Sequence, residues 1–305
     1  MESQTRRRRR KLPRYSPVIT MVIAGVLMAA MTISLFSRMI SAGGSMQVQP
    51  DTPDTSTQST PSTGESSEPT DPTPSETEPP VYLTPQEHLE AFAKENGLII
   101  EEDYPEEVLK LLETHPEAID FVLNYPLRKG SILPTDLSPL KNSKTIPLLM
   151  QWDLRWGFKI YGSDAAGLTG CGPTCLSMVA IYLTKNTDLT PAYLMDFAIS
   201  NGYYSAGSGT AWTLFSQGAP KLGLTVETVP LVKNLIVRHV ESGKPVILSM
   251  GPGAFTTGGH YIVLTGYTDG KFSVNDPNSI TNSQKLWSYE EIKDQIKNIW
   301  AFSAS

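Results

Sequence analysis

Apolar and polar positions fall into three unlike regimes along this chain. Val18–Phe36 is an uncharged run of nineteen residues, long enough to cross a bilayer as a helix. Residues 41–80 then lose almost all apolar character and consist mainly of Ser, Thr, Pro, Asp, Glu, Gly and Gln. Such a stretch buries too little apolar surface to offset its ordering entropy, so it reads as a disordered spacer. As a flexible coil of forty residues it reaches roughly 35 Å on average. Helical periodicity begins at Thr84-Pro85-Gln86-Glu87, a capping box with proline at the first helical position. The spacing of Leu89, Phe92 and Ala93 predicts a helix that stops at Gly97. Two more short helices are predicted over 105–113 and 116–124, with Val108, Leu111, Leu112, Ile119, Phe121 and Val122 on their apolar faces. Three helices of this size are too small to stand alone and are expected to pack on the larger C-terminal part of the chain. A pro-segment covering the cleft is one role open to them.

From Ile146 the pattern changes again. A polar loop over 151–157 precedes an apolar helix after Cys171, and Thr190-Pro191 starts a second helix that runs to Gly202. A third helix is expected from Thr210-Ala211-Trp212 to Gly223, followed by a strand over 224–229 and a helix over 232–241. Strands are predicted over 245–250, 260–267 and 271–275, then a short helix from Ser288 and a last strand around Trp300-Ala301-Phe302. Helices first and an antiparallel sheet after is an α+β layout. The 160 residues from Ile146 to the end are enough for a self-sufficient core.

The net charge of −6 hides an uneven distribution, because seven basic residues lie before Val18 and a single Arg38 follows the apolar run closely. A nucleic-acid arm is excluded by that adjacency. The positive-inside rule instead keeps the N-terminus cytoplasmic and places the rest of the chain outside the cell. A cleaved signal peptide, cut after Ala42, is the competing expectation. The chain thus divides into a basic tail (1–17), a transmembrane signal anchor (18–40), a linker (41–80), a helical segment (81–140) and a catalytic domain (141–305).

The two cysteines, Cys171 and Cys175, sit in one motif, Gly170-Cys171-Gly172-Pro173-Thr174-Cys175, which rules out a disulfide framework and a four-ligand zinc pattern. No metal and no cofactor are expected. The two glycines allow a sharp turn and close approach of a ligand, and Pro173 suits a first helical turn. Cys171 is therefore predicted at a helix N-terminus, where free N–H groups and the helix dipole stabilise a thiolate. About ninety residues on, His260 opens the strand His260-Tyr261-Ile262-Val263-Leu264 after Gly258-Gly259, and the next strand ends in Asp276-Pro277. Adjacent antiparallel strands would set His260 beside Asp276. Cysteine, histidine and an orienting acid in that order suit nucleophilic catalysis. Asn275 and Asn278 are alternative orienters, and Cys175 is expected to be a packed core residue. His88, His115 and His239 lie away from any nucleophile signal and read as surface or partly packed side chains.

Residues 146–302 resemble the papain-like peptidase family that cleaves double-glycine leaders, in its stand-alone, C39-like form. The resemblance is carried by Ile146-Pro147-Leu148-Leu149-Met150-Gln151-Trp152-Asp153, Gly170-Cys171-Gly172-Pro173-Thr174, Gly209-Thr210-Ala211-Trp212, Gly259-His260-Tyr261 and Asn275-Asp276-Pro277-Asn278. It implies a papain-like fold, a peptide or protein substrate (a cell-wall peptide among them), and a cysteine peptidase with Cys171 as nucleophile, His260 as base and Asp276 as orienter. It also implies Gln151 as oxyanion donor, although twenty residues separate it from Cys171 and the loop must fold back. The chain is expected to be a monomer. A non-catalytic surface binding module and a thiol acyltransferase are the alternatives.

Overall fold

The computed structural model describes residues 83–207 and 209–305. The basic tail, the apolar run at 18–36 and the linker lie outside the described residues. Among those described, no helix is long and apolar enough to cross a membrane.

Four helices open the described chain: α1 (Pro85–Asn96), α2 (Ile100–Asp103), α3 (Glu106–Thr114) and α4 (Ile119–Arg128). The capping box at Thr84 forms in both directions, and Gly97 ends α1 in the left-handed region at φ 67°, a conformation glycine adopts without a Cβ penalty. The short α2 was not legible in the sequence, and α4 runs four residues past the expected end, through Pro126. The buried faces of these helices, Leu89, Val108, Leu112, Phe121, Val122 and Tyr125, form one cluster with Phe158 and Ala165 of the following domain.

Two small ribbons come next: β1 (Ile160–Tyr161) with β2 (Asp164–Ala165), and β3 (Tyr204–Ser205) with β4 (Gly209–Thr210). Between them lie α5 (Ala166–Thr169), α6 (Cys171–Thr184) and α7 (Pro191–Ser200). Residues Gly172 to Ile181 of α6 are all buried, as expected for a helix apolar on every side. The helix expected from Thr210 does not form as drawn. Thr210 belongs to β4, and the chain winds instead through a π turn at Leu214–Gly218 and a 3-10 turn at Ala219–Leu222.

A six-stranded antiparallel sheet completes the fold, in the order β5 (Leu224–Thr228), β10 (Ile296–Ala304), β6 (Val246–Met250), β7 (His260–Thr268), β8 (Lys271–Asn275), β9 (Leu286–Ser288). Side chains alternate faces along each strand. Ile247, Tyr261, Val263, Trp300 and Phe302 pack with Leu176, Val179 and Ile181 of α6. Val246, Leu248, Ile262, Leu264, Ile299 and Ala301 face the other way, onto Ile236 and Val240 of α8 (Lys233–Glu241). Two short helices, α9 (Ile280–Gln284) and α10 (Tyr289–Ile292), flank β9. This mixture of helices and antiparallel sheet is the expected α+β class.

The helical segment is tied to the domain by packing and by polar contacts. The Tyr125 hydroxyl donates to Asp164 at 3.0 Å, Gly130 N–H to Phe158 O at 2.7 Å, and Leu133 N–H to Arg155 O at 3.0 Å. The Phe121 ring stacks on Phe158 with centroids 5.1 Å apart and lies where a Cβ on Gly167 would stand. Phe121→Ala, which empties a fully buried site, is expected to cost about 3–5 kcal/mol. Gly167→Ala is expected to destabilise through the Phe121 ring, and the double variant less than the sum of the two. Urea unfolding of the three variants measures this.

Candidate functional site

Cys171 is the first residue of α6, with Gly170 as its N-cap, and it is partly buried. One turn on, the fully buried Cys175 Sγ donates to Tyr261 O at 3.2 Å. That bond pins the start of α6 over the start of β7 and brings Cys171 against His260, the first residue of β7. The two glycines beside Cys171 are needed for close packing of the protein on itself. A Cβ on Gly172 would stand 2.6 Å from Thr210 Cγ2, and one on Gly170 2.6 Å from Ala166 O.

His260 and Asp276 meet at the end of the sheet. Strand β7 pairs with β8 through Val263 and Asn275, so direct pairing would set Asp276 two positions from His260. The turn at Asp276-Pro277 closes that offset, and His260 Nε2 lies 2.7 Å from Asp276 Oδ1. Asp276 is fully buried. Its carboxylate also accepts from the Asn278 N–H at 2.9 Å on Oδ1 and from Asn282 Nδ2 at 2.8 Å on Oδ2. Its own N–H donates to Ser283 Oγ at 2.9 Å. Burial raises the Asp276 carboxyl, but the His260 charge and these donors outweigh it and hold the group below its usual range. Burial likewise pulls His260 down, while the Asp276 charge, its hydrogen bond and the neighbouring Cys171 push the imidazole up to about 10. The pair is therefore ionic at neutral pH, and Nδ1 is the ring nitrogen left over by the bond to Asp276.

Gln151 is 3% exposed. The twenty-residue gap to Cys171 is closed by a loop folded on the site: Gln151 N–H donates to Pro277 O at 2.7 Å, and Gly167 N–H to Gly157 O at 2.8 Å. Asp153 and Arg155 pair at 2.6 Å within it. Gln151 Nε2 donates to Gly167 O at 2.8 Å, and its Oε1 has no hydrogen-bond partner. The side chain thus sits between Pro277 and the turn that leads into Cys171, one N–H already committed. Asn275 points elsewhere, its Nδ2 donating to Pro147 O at 3.0 Å and Ile146 O at 3.3 Å, so it does not orient His260. Asn278 contributes its backbone N–H to Asp276 rather than its side chain.

Two neighbouring cavities lie at the site, and Cys171 lines one of them. One, of about 530 Å³, holds Cys171 and His260 with Thr210, Trp212 and Ser249 on its walls. The indole of Trp212 is 47% exposed and donates to Ser249 Oγ at 3.2 Å. The other, of about 730 Å³, shares Leu168 and Thr169 with the first and contains Gln151 and Asn282. Residues of the helical segment line the second cavity and none lines the first. The described helices therefore leave Cys171 uncovered.

The model of the Peptidase_C39 like family matches residues 143–304. The chain belongs to that family. Two solved structures are also similar to it. The peptidase domain of Streptococcus ComA, a bi-functional ABC transporter, is 19% identical, with a TM-score of 0.37, covering 45% of this chain and 93% of the other. A C39-like peptidase from Bacillus anthracis is 16% identical, with a TM-score of 0.34, covering 54% of this chain and 96% of the other. A search of curated proteins returned no match.

Sequence reasoning missed two side chains. Asn282 completes the carboxylate's hydrogen bonds, and the N-capping pattern of Ser279, which accepts from Asn282 N–H at 3.1 Å, was the available signal for α9. His115, expected to lie apart from the site, lines the second cavity and feels the charges of Asp276 and His260. Burial holds it below its usual value. No local signal reveals this, because the contact spans more than a hundred residues.

The pair links pH to stability. His260, raised from 6.5 to about 10, contributes stability that is fully present below about 6.5 and is lost as pH rises through about 10. Asp276, held below 3.8, contributes stability present above that value and lost as pH falls through its lower folded one. The Tm is therefore expected to fall between neutral pH and 10, with a smaller fall in a His260→Gln/Asp276→Asn double variant.

Proposed function

We propose that this member of the Peptidase_C39 like family is a cysteine peptidase in which Cys171, His260 and Asp276 act together, with Gln151 as oxyanion donor. The observation that carries the reading is the buried His260–Asp276 ion pair, closed at 2.7 Å, beside a thiol at the N-terminus of a fourteen-residue helix. A structural cysteine needs neither neighbour.

In this reading His260 Nδ1 already holds the proton given up by Sγ in the resting ionic pair, since Nε2 is held by Asp276. The imidazolium and the free N–H groups at the start of α6 favour negative charge on the sulfur. The thiolate attacks the peptide carbonyl carbon. The resulting oxyanion accepts from the Cys171 N–H and from the second Nε2 proton of Gln151. The imidazolium then gives its proton to the leaving amine, and the neutral His260 left behind acts as base while water hydrolyses the thioester. Asp276 keeps the ring in one orientation throughout. Its three donors keep it ionised.

The same proposal extends to placement: the run at 18–40 anchors the chain in the membrane with the catalytic domain outside the cell, and a cell-wall peptide or a surface protein is the substrate. A fluorescent iodoacetamide probe is expected to label Cys171 at least tenfold faster than Cys175. His260→Ala is expected to slow that labelling by one to two orders of magnitude, and Cys171→Ala to abolish peptide cleavage. Equal labelling of both thiols, or labelling indifferent to His260, would sink the peptidase reading. Thiol acyl transfer uses the same residues, and mass analysis of products formed with an added amine separates it from hydrolysis.

A further inference from the structure

The larger cavity beside the site has walls of two origins. On one side stand Glu107, Lys110, His115 and Glu117 of the helical segment, which lies outside the family match at 143–304. On the other stand the loop 253–257 between β6 and β7 and the residues around α9. The cavity meets the Cys171 cleft at Leu168 and Thr169, which line both. A peptide lying across Cys171 therefore has one flank within reach of the helical wall.

That wall is fixed in place. Glu117 Oε1 accepts from Ile280 N–H at 3.1 Å, at the start of the helix that carries Asn282. The cluster around Phe121 and Phe158 holds the helices to the domain.

The charges in the cavity are unbalanced. Asp164 is answered by Lys129 at 3.8 Å. Glu107 and Glu117 make no ion pair among the described residues, and Lys110 is the single cation on the wall. Burial keeps His115 below its usual value, so it adds little positive charge at neutral pH. An independent observation agrees with the sign. Gln151 Oε1 and Asn278 Oδ1, both on cavity residues, are buried acceptors with no donor, and Gln151 is 97% buried by its 3% exposure.

We propose that the helical segment builds a substrate subsite, in which Glu107 and Glu117 receive a cationic side chain of the peptide on the flank of the scissile bond that faces α9. The subsite rests on the peptidase reading above and names the substrate class it takes: a peptide carrying an amine or guanidinium near the cleavage point. Glu107 and Glu117 are specificity residues, acting on the bound substrate rather than on the reacting atoms.

The test uses the full chain in detergent and a library of fluorescence-quenched peptides. Each position around the bond carries lysine, norleucine or glutamate in turn. At one position the ratio of kcat/KM for lysine over norleucine is expected to be about tenfold, with glutamate below norleucine. In Glu107→Gln/Glu117→Gln that ratio is expected to fall to near one. The glutamine at 117 retains an acceptor for Ile280 N–H, and a ratio taken within each variant cancels any general loss of folding or chemistry. Cleavage with no preference for lysine at any position, or a preference that survives in the variant, overturns the subsite and leaves the peptidase reading standing. A chain whose Cys171 labels but which cuts no peptide overturns that reading, and the subsite with it.

Discussion

Two opposite charges held out of water at the end of a β-sheet set the terms for everything around them. Moving each ion into the interior costs several kcal/mol, and their attraction offsets this only when the geometry is good and further hydrogen bonds support the pair. Asp276 satisfies that condition with a bond from His260 and two more donors, the Asn278 N–H and the Asn282 amide. Local structure follows from the requirement. The Asp-Pro turn aims the carboxylate back at β7, and α9 delivers Asn282. Ser279 caps that helix, and Glu117 takes its first N–H. Breaking any link leaves a buried charge short of a partner, which is far costlier than losing an exposed ion pair.

The sulfur is positioned by a different kind of force. Helix α6 is buried almost all round, so its place is fixed by packing against Ile247, Tyr261, Val263, Trp300 and Phe302 on one sheet face. Cys175 refines the fit by bonding to the backbone of Tyr261. Packing of this density leaves little freedom for a sub-ångström drift. The consequence is a thiol whose distance from the imidazole is set by the core rather than by a loop. Thr210 extends the same logic, since it packs on Gly172, shares a hydrogen bond between its hydroxyl and that of Tyr161, and accepts from the Tyr261 hydroxyl at its carbonyl.

The N-terminal helices complete the domain. Their apolar faces close over Phe158 and Ala165, and α3 with the turn that follows it forms part of the cavity next to the Cys171 cleft. A segment with few residues of its own to bury gains stability by sharing a core, and in doing so becomes a wall of the cleft. The surface that folds the helices onto the domain also lines that cavity, and the helices sit beside Cys171 without covering it.

The order of local elements was legible in residues alone wherever a run or a cap is strong: the capping box at Thr84, Thr190-Pro191 before α7, the continuous apolar runs of β6 and β7, and the cysteine at a helix start. The meeting of Cys171, His260 and Asp276 was legible as residue types in sequence order. Tertiary structure decided the rest. The winding after Thr210 follows from the pairing of β3 with β4 and the packing of Phe215 against Trp300, 4.8 Å between centroids, which propensity cannot express. Asn275 reads as an orienter by proximity, yet its amide serves the carbonyls of Ile146 and Pro147. His115 reads as remote, yet it stands in the field of the ion pair. Periodicity and capping act over one or two turns, so the chain states them locally. Which far side chain fills a hydrogen bond or a cavity depends on long-range closure, and only the folded core determines that.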